Sequence, residues 1–137
     1  MKVVAIDYGS ARTGVAVSDP SGTIARPLGV VERASTDAGL ARLAELIRAE
    51  AAERVVVGLP LTLRGEHGAQ ARETEVFVEA LRAAIDVPVE SFDERFTTRL
   101  ARTRPGDSPS DLSEPDDARA AAHLLSSYLE WSSAARG

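Results

Sequence analysis

Acidic residues at three places in this sequence are the side chains best suited to chemistry. Asp7 ends an apolar run, Asp93 and Glu94 follow a second one, and Asp116 and Asp117 begin a final helical pattern. Carboxylates brought together repel one another unless divalent cations lie between them, and Mg²⁺ prefers oxygen ligands of this kind. Two such ions about 3.5–4 Å apart can hydrolyse a phosphodiester, because one activates the attacking water and the other stabilises the leaving oxygen. The acids therefore predict a nuclease site that depends on Mg²⁺ or Mn²⁺.

Each of these acids also has a purely structural interpretation. Asp7 could accept hydrogen bonds from the turn at residues 9–10, because Asp side chains commonly bond the backbone of a following turn. The pair at residues 93–94 could be a solvated strand end, at which Arg95 neutralises a neighbour. The pair at residues 116–117 suits the first turn of a helix, where the helix dipole favours negative charge. The second of these two borders the predicted buried face, so it is the better candidate for a site residue.

Arginine supplies nearly all of the positive charge, since Lys2 is the only lysine among 16 basic residues. The guanidinium group suits bidentate contacts with phosphate, so the arginines near the acids are candidate contacts to nucleic acid. A solvated helix face is the alternative interpretation of this run of charge. The candidates for nucleic-acid binding are Arg12, Arg95, Thr98, Arg99 and Arg102.

Composition excludes several other kinds of protein. The 137 residues include no cysteine, which rules out disulfides, thiolate catalysis and cysteine-ligated zinc. The net charge of −5 argues against a generally basic nucleic-acid coat but is compatible with a local basic stripe. The opening MKVVAIDYG is interrupted too early by Asp7 to be a signal peptide or a membrane span. We expect one cytoplasmic domain over residues 1–137, with no membrane partner.

Apolar patterns predict the element order β-β-β-α-β-α-β-α-α. Short connections make the first three strands antiparallel, and the type I turn pattern at residues 19–22 separates the second strand from a third at residues 23–31. Right-handed crossovers then add two parallel strands. The predicted fold is α/β, with a five-stranded mixed sheet and helices on both faces. This is the ribonuclease H-like arrangement, although the element order alone allows others.

Two further expectations concern the helices and the longest connection. The spacing of apolar residues in the second helix predicts one apolar face made of Val76, Phe77, Ala80, Leu81 and Ala84. A third helix is expected to begin near Thr97. Residues 103–115 are rich in Pro, Ser, Asp and Gly and lack periodicity, so they are predicted to form a mobile loop.

Four ordered motifs resemble those of the YqgF/RuvX family, the Holliday-junction-resolvase-like proteins also described as pre-16S ribosomal RNA nucleases. The resemblance covers nearly the whole chain, and four motifs in order are far more specific than any one of them. The motifs are Asp7-Tyr8-Gly9 with Arg12 and Gly14, Val57-Gly58-Leu59-Pro60-Leu61, Asp93-Glu94-Arg95-Phe96-Thr97-Thr98, and Asp117 with Ala120-Ala121.

The resemblance implies a ribonuclease H-like fold and a metal-dependent nuclease site. It assigns metal binding and catalysis to Asp7, Glu94 and Asp117, with Mg²⁺ or Mn²⁺ as the cofactor. It also implies maturation of the 5′ end of 16S ribosomal RNA, with cleavage of branched DNA such as a Holliday junction as a suggested activity in some members. The expected partners are pre-16S rRNA and branched DNA. A homodimer would help to span a branched substrate, and the sequence leaves that question open.

The segment between the third and fourth motifs departs from the family pattern. Family members usually have a longer helix and a Lys/Arg-rich stretch there, whereas residues 103–115 read TRPGDSPSDLSEP. This acidic segment leaves the substrate preference open, and it motivates a non-catalytic RNA- or ribosome-binding module as an alternative. An actin-like ATP-binding phosphotransferase domain is a more distant alternative, because those enzymes bind ATP between two such domains and this chain supplies one.

Overall fold

The computed structural model describes residues 1–62, 64–96 and 116–136. These residues form five strands, three α-helices and one turn of 3₁₀-helix. The helix predicted near Thr97 and the loop predicted at residues 103–115 lie outside the described residues. In chain order the elements are β1 (Val3–Asp7), β2 (Arg12–Ser18), β3 (Ala25–Glu32), α1 (Asp37–Ala49), β4 (Arg54–Leu59), α2 (Ala69–Ala84), β5 (Val89–Asp93), the 3₁₀ turn (Glu94–Phe96) and α3 (Asp116–Arg136).

The five strands form a mixed sheet in the order β3-β2-β1-β4-β5. β2 pairs antiparallel with both β1 and β3, whereas β4 pairs parallel with both β1 and β5. The antiparallel start and the parallel crossovers are thus as predicted. Because β1, β4 and β5 run parallel to one another, their carboxyl ends lie at one edge of the sheet.

The two faces of the sheet are covered by different helices. Strand residues alternate between the faces, so Val4 and Ile6 of β1 pack in the core beneath α1 and α2. Val3 and Ala5 face the other way, into a second core that includes Leu125 of α3. The prediction of helices on both faces is confirmed. Every odd-numbered residue of β1, including the last, therefore points toward α3.

The turn between β2 and β3 has the predicted type I form. Gly22 has a φ of 74° and its N–H donates to the carbonyl of Asp19 at 2.9 Å. The N–H of Ile24, the hydroxyl of Ser21 and the N–H of Thr23 all donate to the Asp19 carboxylate and hold its pKa well below the usual range. The Asp19 carboxylate therefore stays ionised, and keeps these hydrogen bonds, as the pH falls through the range in which an aspartate normally titrates.

Two predicted details of these elements were wrong. β3 begins at Ala25 and not at Thr23, because the Asp19 carboxylate takes up the next two N–H groups and prolongs the turn. Val76 is 71% exposed, whereas Phe77 is buried. Neighbouring helical residues are rotated by about 100°, so both cannot lie on one narrow face. The buried stripe of α2 consists of Ala71, Thr74, Phe77, Val78 and Leu81.

Helix α3 is attached to the sheet by small apolar residues and one tyrosine. Ala118, Ala121 and Leu125 are fully buried against β1 and β2. Further along the helix, the Tyr128 hydroxyl donates to the Glu90 carboxylate and accepts from Arg54 Nη1 at 3.0 Å. Burial, and then the bond to that carboxylate, raise the pKa of the Tyr128 phenol. Within the described parts of the chain, no helix is both long and apolar enough to cross a membrane.

Candidate active site

Asp7 occupies the carboxyl end of the central strand, on the face covered by α3. It pairs with Gly14 of β2 across the antiparallel ladder. On the other side, Ile6 pairs with Val57 of β4, and the next step of that register brings Asp7 beside Gly58. Neighbouring strands lie about 4.8 Å apart, so Gly14, Asp7 and Gly58 span roughly 10 Å of one sheet face. The aspartate is thus flanked by two residues without side chains.

Asp117 is brought to this face by direct contact between α3 and β2. A Cβ atom on Gly14 would overlap the carbonyl oxygen of Asp117 and would come within 3.0 Å of the Ala118 nitrogen. Only a glycine at position 14 lets the first turn of the helix rest on the strand. The backbone of Asp117 therefore lies over the residue that pairs with Asp7.

Glu94 is brought in from the opposite side, where it follows β5. A Cβ atom on Gly58 would lie 2.7 Å from Glu94 Oε1 and 3.1 Å from its Cγ. The glutamate side chain therefore folds back over Gly58, the neighbour of Asp7 on β4. The group that approaches Gly58 is therefore a predicted site residue.

Asp93 has a different environment from its neighbour Glu94. Its carboxylate accepts hydrogen bonds from Arg95 Nε at 2.9 Å and Nη2 at 2.6 Å, and from the Arg95 main-chain N–H at 2.9 Å. The side-chain bonds from Arg95 hold the pKa of Asp93 below its usual value. The same guanidinium lies over Gly65, whose φ of 81° turns the β4–α2 loop toward it. Arg95 thus neutralises Asp93. This agrees with the structural interpretation of residues 93–94, in which Arg95 neutralises a neighbouring acid.

Arg12 makes an ion pair within the site that the sequence did not reveal. Its Nε lies 3.2 Å from Asp117 Oδ2. Both residues were predicted to belong to the site, but from different motifs and with different roles. Whether Arg12 and Arg95 contact nucleic acid stays a prediction, and Thr98, Arg99 and Arg102 lie outside the described residues.

The placement of the three acids suits a divalent cation, although their side chains are not gathered into a finished set of ligands. Asp7, Glu94 and Asp117 supply only carboxylate oxygens, the donors that Mg²⁺ and Mn²⁺ prefer. Among the described residues, no three acidic or histidine side chains stand close enough to hold an ion as they are. One reason is that the Asp117 carboxylate is paired with Arg12. A cation at this position would compete with that guanidinium.

Comparison with known proteins decides the family. Residues 1–131 match the family described as RuvX: Holliday junction resolvase. This chain belongs to the RuvX family. A relative from Chloroflexus aggregans, named "Putative pre-16S rRNA nuclease", is 41% identical over 131 residues, which cover 93% of this chain and 92% of the relative. The RuvX chain is accordingly a nuclease, a hydrolase that acts on phosphodiester bonds.

Solved structures bear on the fold of this RuvX protein. RuvC from Thermus thermophilus superposes with a TM-score of 0.57 at 18% identity, over 96% of this chain and 97% of RuvC. The same protein in complex with a Holliday junction substrate gives a TM-score of 0.57 at 21% identity, over 96% of each chain. At these identities the likeness concerns the fold alone, and it confirms the ribonuclease H-like prediction.

Replacing Gly58 with alanine in this RuvX protein is expected to lower nuclease activity by about 100-fold while the fold is kept. The new Cβ would displace the end of the flexible Glu94 side chain, and a misplacement of about 1 Å can cost this much rate. The free energy of unfolding should fall by only about 1 kcal/mol, the lower end for overpacking. Cleavage rates and denaturant midpoints of the variant and of Gly29→Ala, whose Cβ would meet nothing within 4 Å, provide the check. Full activity in the Gly58 variant would mean that cleavage does not depend on the observed position of the Glu94 side chain.

Proposed function

We propose that this RuvX protein trims the 5′ end of pre-16S ribosomal RNA, with Asp7, Glu94 and Asp117 as the residues that hold Mg²⁺ or Mn²⁺. The observation that carries the proposal is that the Asp117 backbone rests on Gly14, the residue paired with Asp7, while the Glu94 side chain lies over Gly58 of the strand on the other side of Asp7. The two glycines leave the room that this arrangement requires. The name of the Chloroflexus relative supports the choice of RNA as the substrate.

The three acids would divide the work according to their positions. Asp7 would hold the cation from the central strand of the sheet. Glu94 reaches the site over Gly58, and Asp117 reaches it from the first turn of α3. Bound Mg²⁺ or Mn²⁺ supplies an activated water and stabilises the leaving oxygen. Asp93 is the weaker candidate for this role, because its pair with Arg95 is shorter and less exposed, at 2.6 Å, than the pair of Asp117 with Arg12, at 3.2 Å.

Metal-dependent cleavage of a defined RNA tests the proposal. A 16S precursor with extra 5′ nucleotides and a four-way DNA junction of similar length should each be incubated with the protein in Mg²⁺, in Mn²⁺ and in EDTA. We expect shortening of the RNA 5′ end in either metal, none in EDTA, and slower cleavage of the junction. Binding of the RNA without cleavage in any metal would contradict the proposal and favour the non-catalytic module.

Cleavage of branched DNA is the second candidate activity, and the description of the matched family favours it. It would become the main activity if the four-way junction were cut faster than the RNA precursor under the same conditions. Symmetrical cuts in two opposing strands would then also require two active sites, so the oligomeric state during cleavage should be measured by light scattering.

A further inference from the structure

We propose that Arg12 acts as a lock on the Asp117 carboxylate, which it releases when a substrate phosphate takes up the guanidinium, so that nucleic acid and metal bind cooperatively. This inference rests on the proposed metal site and goes beyond it, because it assigns an order to the assembly of that site. Arg12 is a positioning residue in this account, since it acts on the metal through Asp117.

The ion pair is built so that a solute can open it. Arg12 Nε lies 3.2 Å from Asp117 Oδ2, and the two side chains are 64% and 33% exposed. A guanidinium this accessible can exchange one oxyanion partner for another, and phosphate suits its geometry as well as carboxylate does. An exposed pair of this kind is also weak, so neither partner is trapped.

The main chain at both Arg12 and Asp117 is held firmly. Only the side chains therefore need to move when Arg12 exchanges the carboxylate for a phosphate. The Thr13 hydroxyl is buried, donates to the Gly9 carbonyl at 3.2 Å and accepts from the Gly9 N–H at 3.3 Å, which closes the β1–β2 turn beside Arg12. On the other side, the backbone of Asp117 rests on Gly14. Arg12 and Asp117 are therefore presented from fixed positions on β2 and α3.

Competition between Arg12 and a cation for the Asp117 carboxylate would make the binding of metal and nucleic acid cooperative. With Arg12 in place, a cation must displace a positive group from one of its own ligands. With Arg12 on a phosphate, the same carboxylate is available to the cation, and by linkage a bound cation also favours the phosphate-bound state of Arg12. Because the pair is exposed, the coupling should be small, about threefold in each dissociation constant.

Titration of Mn²⁺ into the full-length protein, followed by calorimetry and by the electron paramagnetic resonance signal of free Mn²⁺, tests the lock. Arg12→Gln should bind Mn²⁺ about threefold more tightly than the wild type in the absence of nucleic acid. Addition of a phosphorothioate RNA oligonucleotide should tighten Mn²⁺ binding further in the wild type than in Arg12→Gln. Unchanged or weaker Mn²⁺ binding by Arg12→Gln would overturn the inference.

Arg33→Gln separates the lock from a simple loss of positive charge. Arg33 lies at the same edge of the sheet, since its main-chain N–H donates to the Ala11 carbonyl at 3.0 Å. We expect this variant to match the wild type both in Mn²⁺ affinity and in the response to RNA. An equal gain in Mn²⁺ affinity in both arginine variants would show a general effect of charge, and the lock would be rejected.

Asp7→Asn distinguishes failure of the lock from failure of the metal site. If Asp7→Asn abolishes Mn²⁺ binding and Arg12→Gln behaves as the wild type does, the metal site stands and the lock alone is wrong. If Asp7→Asn binds Mn²⁺ as the wild type does, or if the wild type binds none, the proposed site and the lock are both rejected.

Discussion

Replacing Asp7 with asparagine is expected to lower metal-dependent cleavage by more than ~100-fold. Loss of a mere outer partner of a metal ligand commonly costs about 10–100-fold, and Asp7 is proposed as a ligand itself. The effect should be larger than at the other two acids, because Asp7 lies on the central strand of the sheet. The fold should be kept, because asparagine has nearly the same size and shape as aspartate. Single-turnover cleavage in Mn²⁺ and a thermal melt of the same preparation measure both effects.

Asp86→Asn is the matched control for this experiment. Asp86 is exposed and lies between α2 and β5, at the edge of the sheet opposite to the candidate site. This control should cleave and melt as the wild type does. Activity within about threefold of wild type in Asp7→Asn would contradict the assignment of the site, whatever the activity of the other variants.

Replacing Gly14 with alanine is expected to cause a large loss of stability. The loss should exceed that of the same change at Gly29 or Gly58, the other described glycines in β-strands. The added Cβ would overlap the backbone of Asp117, and backbone cannot move aside as a side chain can. The helix α3 would have to lift from β2, and we expect a loss of about 3 kcal/mol in the free energy of unfolding, the upper end for overpacking. Cleavage should fall as well, because Asp117 moves with the helix. Urea unfolding and the cleavage assay report the two losses.

Gly29→Ala provides the comparison on a neighbouring strand. Gly29 pairs with Val15 in the same sheet, and a Cβ there would meet nothing within 4 Å. This substitution should be neutral or stabilising by up to about 1 kcal/mol, because it restricts the unfolded chain. If the Gly14 and Gly29 variants unfolded at the same urea concentration, the close contact between α3 and β2 would be refuted.

Local features of the fold could be predicted from the sequence because they depend on neighbouring residues. The turn at residues 19–22 is specified by its own Asp, Pro and Gly, and β4 is visible as a continuous apolar run covered on both faces. Val76 was misplaced because an alanine-rich helix leaves the rotation of its buried stripe poorly determined. The start of β3 was misplaced because a side chain, that of Asp19, prolonged the turn.

The acids of the candidate site could be found from the sequence, but their mutual arrangement could not. Asp7 and Glu94 stand out because each follows an apolar strand, and Asp117 because it begins a helix. The pairing of Arg12 with Asp117 joins the two ends of the chain and depends on how α3 is rotated over the sheet. Likewise, the sequence shows a glycine at position 58 but not that Glu94 folds over it.

The contact between α3 and β2 has a consequence for the way this protein could be re-engineered. The spacing of Asp7 and Asp117 depends on packing across Gly14. A redesigned β2 or α3 could therefore keep the two acids in register only if position 14 stays glycine and the first turn of the helix still rests on it.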